Sequence, residues 1–381
     1  MVIDRRFFYH FDWALFICIM LICVCGLTVL YSAGFNEDVS ETLGWLPIET
    51  YSKPFLKQIF FWLIGLLIML AAVSIPPKFL YKIAYPSYIV VLLLLVAVLL
   101  VGTWSHGARR WFDLEFAHFQ PSELMKLSLI LTMSRYLSKN LPEEGGYGLK
   151  QLFLPTLFTL IPMALIMAQP DLGTALVIAA IGFGMLLFVG IKLRTLILVG
   201  GVGIISVFPI WNFLLKEYQK RRVMTLIDPD ADPLGSGYHI IQSKIAVGSG
   251  GLFGKGMLQG TQSQLEFLPE HTTDFIFSVL AEEWGFVGCL VVLTLFFFML
   301  YRMLRIARHS KDLFSGLLVV GITILIAFHL FVNVGMVVGI LPVVGIPLPL
   351  FSYGGSALLT NLFLLGLVFG VNIRKGHLFA S

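Results

Sequence analysis

Four stretches of the 381-residue sequence set ionisable side chains beside glycine, proline or apolar runs, where such groups either pair or do chemistry. In LEFLPEHTTDFIFSVLAEEWG, Asp274 stands where a polar segment turns apolar, with Glu270 and His271 close by. Apolar surroundings and a neighbouring acid raise a carboxylate's proton affinity, which is what a general base at neutral pH requires. Glu282 and Glu283, further along the same run, suit a proton path equally well. In GARRWFDLEFAHFQPSELMK, Arg109 and Arg110 precede a tryptophan, and Glu123 and Lys126 fall three apart at a helix start, on one face. That pair is either a structural ion pair or the lining of a polar cavity that positions a ligand. Asp171 in AQPDLGT heads another helix, where it caps free backbone amides or enters a site. Lys220, Arg221 and Arg222 precede the acids Asp228, Asp230 and Asp232. Most such runs are solvated faces, yet guanidinium groups also grip phosphate oxygens in pairs.

The elements that must hold these groups are membrane helices. Hydrophobic residues make up 58% of the chain and charged residues 13%, with a mean hydropathy of +0.90; a soluble domain carries about a quarter charged. This excludes a cytosolic enzyme, a disordered chain and a secreted disulfide scaffold, and the net charge of +4 implies no nucleic acid. Cys18, Cys23, Cys25 and Cys289 all lie in apolar runs, read as free thiols, and show no metal-ligand spacing. The first apolar run is too long for a cleavable signal and lacks an A-x-A site, so it should stay as an anchor.

At about 20 apolar residues per crossing, ten helices are predicted at 13–33, 55–75, 83–103, 121–138, 152–168, 172–190, 195–214, 275–301, 314–338 and 350–372. The chain is therefore expected to be an all-α polytopic membrane protein in one domain, 1–381. An even count puts both termini on one side. With that side cytoplasmic, 15 of the 26 basic residues face inward, as the positive-inside rule requires. The segment 215–273, between helices seven and eight, is then one large extracytoplasmic loop. Its glycines and short apolar patches suggest re-entrant or surface-lying helices joined by tight turns. Tyr353-Gly354-Gly355-Ser356 suits close helix packing or substrate contact, packing being the commoner use.

Taken in order, GARRWFDL, FQPSELMK, AQPDLGTAL, RRVMTLIDPDADPLGSGYHIIQSKIAVGSGGLFGKG, GTQSQLEFLPEHTTDF, AEEWG and NVGMVVGILPVVGIPLPLFSYGGS resemble the SEDS family (shape, elongation, division and sporulation) over nearly the whole chain. Within it the chain is most similar to the branch serving side-wall elongation in rod-shaped bacteria. The resemblance implies a ten-helix peptidoglycan glycosyltransferase of the bacterial cytoplasmic membrane. Such an enzyme polymerises lipid II at the outer face, beside a class B penicillin-binding transpeptidase and other elongation-complex membrane proteins. It implies that Asp274 is the catalytic carboxylate, and that Glu123, Lys126 and Asp171 line the polar cavity near it. Family members often read His-Thr-Asp where this chain has Thr272-Thr273-Asp274, with His271 one position earlier. Compensation for a departing pyrophosphate would fall to Arg109, Arg110, Lys126 and Arg222. No cofactor is expected to bind tightly, and a divalent cation (Mg or Mn) bridging phosphate oxygens is the candidate. A lipid II flippase and a non-catalytic scaffold of the elongation machinery are the competing readings.

Overall fold

The computed structural model describes residues 11–35, 53–105, 108–114, 117–142, 145–215, 217–231, 235–264 and 270–375. Arg5 and Arg6, two of the 15 basic residues that the sequence places on the inner side, lie outside them. In chain order the elements are α1 (Trp13–Ala33), α2 (Lys53–Val73), α3 (Pro77–Val101), β1 (Thr103–Ser105), β2 (Ala108–Leu114), β3 (Ala117–Phe119), α4 (Pro121–Lys139), α5 (Leu149–Ala168), α6 (Leu172–Val189) and α7 (Leu193–Pro209), which runs on through a π turn, Ile210–Leu214. There follow α8 (Glu217–Ile227), α9 (Ser236–Ser249), the single turn α10 (Thr261–Gln264), α11 (Ile276–Arg308), α12 (Leu313–Val337) and α13 (Gly355–Ile373).

Among the described residues nine helices, α1 to α3, α5 to α7 and α11 to α13, are long and apolar enough to cross a membrane. The remaining long helix, α4, is too polar to join them, because Glu123, Lys126, Arg135 and Lys139 fall within its 19 residues. Helix starts follow local chemistry. Asp12 and Asp312 accept the amides of Leu15 and Ser315 at 3.0 and 2.9 Å, and Pro77 and Pro121 open α3 and α4, where a missing N–H does no harm. Hence the third span begins before residue 83, and the last begins at Gly355, after a turn at 350–354, and not at 350.

The all-helical expectation omitted a small antiparallel sheet, β1-β2-β3, between α3 and α4. Trp104 pairs with Arg109 and Phe112 with Phe119. The strands are only three to seven residues long, too short to register against the hydropathy of the flanking spans.

Helix α12 forms the central column, buried along most of its length among α4, α6, α11 and α13. Small residues bring the helices close, as lipid-embedded packing demands: a Cβ on Gly366 of α13 would sit 2.4 Å from the Met69 carbonyl of α2. At the periphery α7 buries only Thr195. The segment 215–273 holds the short helices α8, α9 and α10, the last two joined by the glycine-rich run 250–260.

Candidate active site

Asp274 ends a tight turn that is tied down from three directions. The amides of Thr273 and Phe275 return to the Glu270 carbonyl at 3.1 and 3.3 Å, and the Thr273 hydroxyl donates to the Glu270 carboxylate at 3.0 Å. His271 Nε2 lies 2.9 Å from the Ala33 carbonyl at the end of α1, and Tyr353 donates its amide to the Thr272 carbonyl at 3.0 Å. Asn333 of α12 donates its side-chain amide to the Asp274 carbonyl at 2.9 Å. Beneath the carboxylate lies Gly345, with φ +72°, where a Cβ would stand 3.4 Å from Oδ2. Burial pushes the Asp274 carboxyl up to about 6, Glu270 adds to the rise, and Arg222 opposes it.

A second polar group converges on the same loop. Asp171 caps α6, accepting from the Thr174 amide at 3.1 Å and hydroxyl at 2.8 Å, and Gln120 donates to it at 3.3 Å. At the second residue of α6, a Cβ on Gly173 would lie 2.6 Å from the Val344 carbonyl. The loop 344–346 therefore touches both the Asp171 cap and the Asp274 carboxylate. Lys126 and Glu123 pair at 2.7 Å, with Lys126 buried, and the Lys126 charge acts on His329 of α12. His329 and Asn333 are one helical turn apart on a single face. Lys126, Asp171 and Asp274 are thus gathered around α12 and loop 344–346.

The arginines divide. Arg110 is engaged by the helix break, donating through Nε to the Gln169 carbonyl at 3.0 Å and also to the Pro170 carbonyl. Arg222 lies in α8, near enough to act on Asp274. Arg109 pairs with Trp104 in the sheet, and its side chain lies outside the described set. Sequence reasoning missed Asn333 and His329 as site residues. Two polar side chains four apart inside the apolar run AFHLFVNVG were the available signal.

Glu282 and Glu283 serve a broken helix. Gly285, at φ +66°, interrupts α11, and the chain 251–256 stitches the gap. The amides of Lys255 and Gly256 reach the carbonyls of Glu282 and Glu283 at 3.0 Å, and those of Phe286 and Val287 reach Gly251 and Leu252 at 2.9 and 3.1 Å. Four backbone groups freed by the break are satisfied again in this way, as a low-dielectric setting requires. Glu282 pairs with Lys255 at 2.7 Å and accepts from Thr261 and the Gln262 amide, both at 3.1 Å. Glu283 accepts from the Ser32 hydroxyl and, at 3.2 Å, from the Leu258 amide.

Among the described residues no three His, Cys, Asp or Glu side chains are grouped as metal ligands.

Fold and site together define a multi-pass membrane protein whose polar core, between α4, α6 and α12, reaches Asp274. Over residues 12–377 the chain matches, and belongs to, the FtsW/RodA/SpoVE family of cell cycle proteins. The peptidoglycan glycosyltransferase MrdB of Escherichia coli (strain K12) is 47% identical over 322 residues, 83% of this chain and 85% of that protein. The peptidoglycan glycosyltransferase RodA of Treponema pallidum (strain Nichols) is 33% identical over 440 residues, covering 96% and 98%. A solved chain described under structural coordination of polymerization and crosslinking by a peptidoglycan synthase complex matches with a TM-score of 0.79 at 35% identity, covering 96% of this chain and 99% of that one. The crystal structure of the Thermus thermophilus rod shape determining protein RodA matches with a TM-score of 0.69 at 31% identity, covering 96% and 98%.

Proposed function

We propose that this chain, a peptidoglycan glycosyltransferase, polymerises lipid II into beta-1,4-linked glycan strands at the outer face of the bacterial cytoplasmic membrane, with Asp274 as general base. In this reading α4 makes the tenth crossing, its buried Lys126 neutralised by Glu123. Both termini are then cytoplasmic and 215–273 is extracytoplasmic, with a class B penicillin-binding transpeptidase as the partner.

The observation that carries the base assignment is a carboxylate with raised proton affinity on a turn anchored by α1, α12 and the 344–353 segment. With its carboxyl at about 6, Asp274 is mostly ionised at neutral pH while remaining a competent proton acceptor. The acceptor is the sugar 4-hydroxyl of one lipid II, and the donor is the anomeric carbon of a glycan still joined to undecaprenyl pyrophosphate. Asp274 takes the hydroxyl proton as the oxygen attacks opposite the leaving group. The anomeric bond to the pyrophosphate breaks, the centre inverts, and undecaprenyl pyrophosphate departs as an anion. Arg222, and Lys126 beyond its pair with Glu123, are the cations offered to that charge. Arg110 contributes through backbone it already holds, by fixing the break ahead of Asp171.

The test is incubation of the purified chain and its cognate transpeptidase with fluorescent lipid II. A ladder of glycan strands that resists penicillin supports the reading. Transfer of intact lipid II across vesicles without strands supports a flippase instead.

A further inference from the structure

The upper halves of α4 and α12 carry a set of buried polar atoms that the protein leaves without partners. Ile130 of α4 meets Gly321 of α12, and Lys126 acts on His329, so the two helices run antiparallel. Eight residues from each contact, about 12 Å along each axis, bring Ser122 level with His329. Within about one helical turn of this level, Ser122 Oγ, Glu123 Oε2, the ring nitrogens of His329 and Asn333 Oδ1 are buried and find no side-chain hydrogen-bond partner. His329 is 4% exposed, and the Pro347 carbonyl beside its ring can take one imidazole N–H at most, which leaves the other nitrogen open. Lys126 supplies only donors, so it cannot satisfy an imidazole N–H, and its ammonium is already paired with Glu123 Oε1 at 2.7 Å.

Buried polar atoms are rarely left unpaired, and several together mark a place where another molecule completes them. The chemistry of the set selects which molecule. Glu123 Oε2 and Asn333 Oδ1 only accept, while the serine hydroxyl and the imidazole both donate and accept. A pyrophosphate offers acceptors alone and would face two oxygens with nothing to donate. A sugar ring donates from its hydroxyl and acetamido groups and accepts on the same hydroxyl oxygens. We propose that Ser122, Glu123, His329 and Asn333 form a subsite for the hydroxyl and acetamido groups of the lipid-linked sugar, with His329 as its specificity-determining contact. This rests on the polymerase reading above and adds the group of the substrate that this part of the core recognises. Asn333 connects the subsite to the reaction, since its amide nitrogen holds the carbonyl of Asp274.

The experiment is steady-state lipid II polymerisation by the full chain with its transpeptidase, comparing wild type, His329→Phe, His329→Leu and His329→Gln. Inhibition by undecaprenyl pyrophosphate, which lacks the sugar, and melting temperature are measured alongside. His329→Phe and His329→Leu should raise the KM for lipid II about tenfold, the effect of one lost hydrogen bond to a buried partner. Glutamine, keeping a donor and an acceptor, should stay within about threefold, and inhibition by undecaprenyl pyrophosphate should be unchanged in all. Should phenylalanine fail to fold, leucine is read in its place. Wild-type kinetics in the apolar variants would overturn the proposal by showing that water alone completes these atoms. A parallel loss of pyrophosphate inhibition would overturn the sugar assignment, and equal damage from glutamine with a lowered melting temperature would make His329 structural. A wild type that makes no strands would overturn the polymerase reading, and this inference with it, before any variant is compared.

Discussion

Asn333 donates its one side-chain amide to the Asp274 carbonyl at 2.9 Å and to the Ile346 carbonyl at 2.8 Å. A single group on the central helix thus joins the turn that presents the carboxylate to the loop that lies beneath it. Both carbonyls belong to irregular backbone, so neither has a helical amide to fall back on.

Asn333→Ala should therefore release two buried carbonyls at once. At about 1 kcal/mol for each neutral hydrogen bond, we expect a loss of roughly 2 kcal/mol in stability. The fall in kcat should be at least about tenfold, since a misplaced base loses rate steeply. Unfolding in detergent and strand synthesis at matched folded amounts check the two parts.

The raised carboxyl of Asp274 fixes the sign of the pH dependence. A base must be ionised, so polymerisation should rise as pH passes about 6 and then level off. Because Arg222 opposes the rise and Glu270 adds to it, Arg222→Met should move this limb to higher pH and Glu270→Gln to lower pH. Stability runs the other way. The folded chain holds this proton more tightly than the unfolded chain, so stability is fully present below the ordinary value of 3.8 and is lost as pH rises through about 6. At pH 7 Asp274→Asn should accordingly melt no lower than wild type.

The buried ion pair behind the stitched helix can be taken apart in order. Glu282 is 0% exposed and Lys255 27%, so Lys255→Met strands a buried carboxylate and should cost about 3 kcal/mol, the low end for such a pair. Glu282→Gln keeps an acceptor for Thr261 and Gln262 and should cost about 1 kcal/mol. The double variant should recover part of the Lys255→Met loss, as chemical denaturation in micelles would register.

Gly285 cannot be replaced. Its φ of +66° disfavours any side chain, and a Cβ would stand 2.2 Å from the Gly254 amide nitrogen and 2.7 Å from the Phe253 carbonyl carbon. Both neighbours are backbone, which cannot rotate away. Gly285→Ala should cost at least about 3 kcal/mol and sharply lower the folded yield, measured by size exclusion of a fluorescent fusion.

Nine of the helical spans were legible because hydropathy over 20 residues is a strong signal, with ends that moved most at Pro77, Gly355 and Arg308, whereas α4, expected as another span, carries too many charges to register as one. The Glu123 and Lys126 pairing followed from a spacing of three, and the Asp171 cap from its proline and glycine neighbours. What could not be read was long-range. Gly285 inside AEEWG looks like any helical glycine until residues 251–256 are seen filling the gap it makes. Asn333 and Asp274 lie 59 positions apart, and no local pattern announces that one holds the other. The small sheet was hidden because its strands are shorter than any hydropathy window.

The central claim is that Asp274 removes the acceptor proton. The most direct measurement is strand synthesis from fluorescent lipid II by wild type and Asp274→Asn, each with the cognate transpeptidase at equal folded amounts. The account predicts glycan ladders from wild type and at least about a thousandfold less from Asp274→Asn, within the range general-base loss produces, with penicillin binding by the partner unchanged. Equal ladders from both proteins would contradict it.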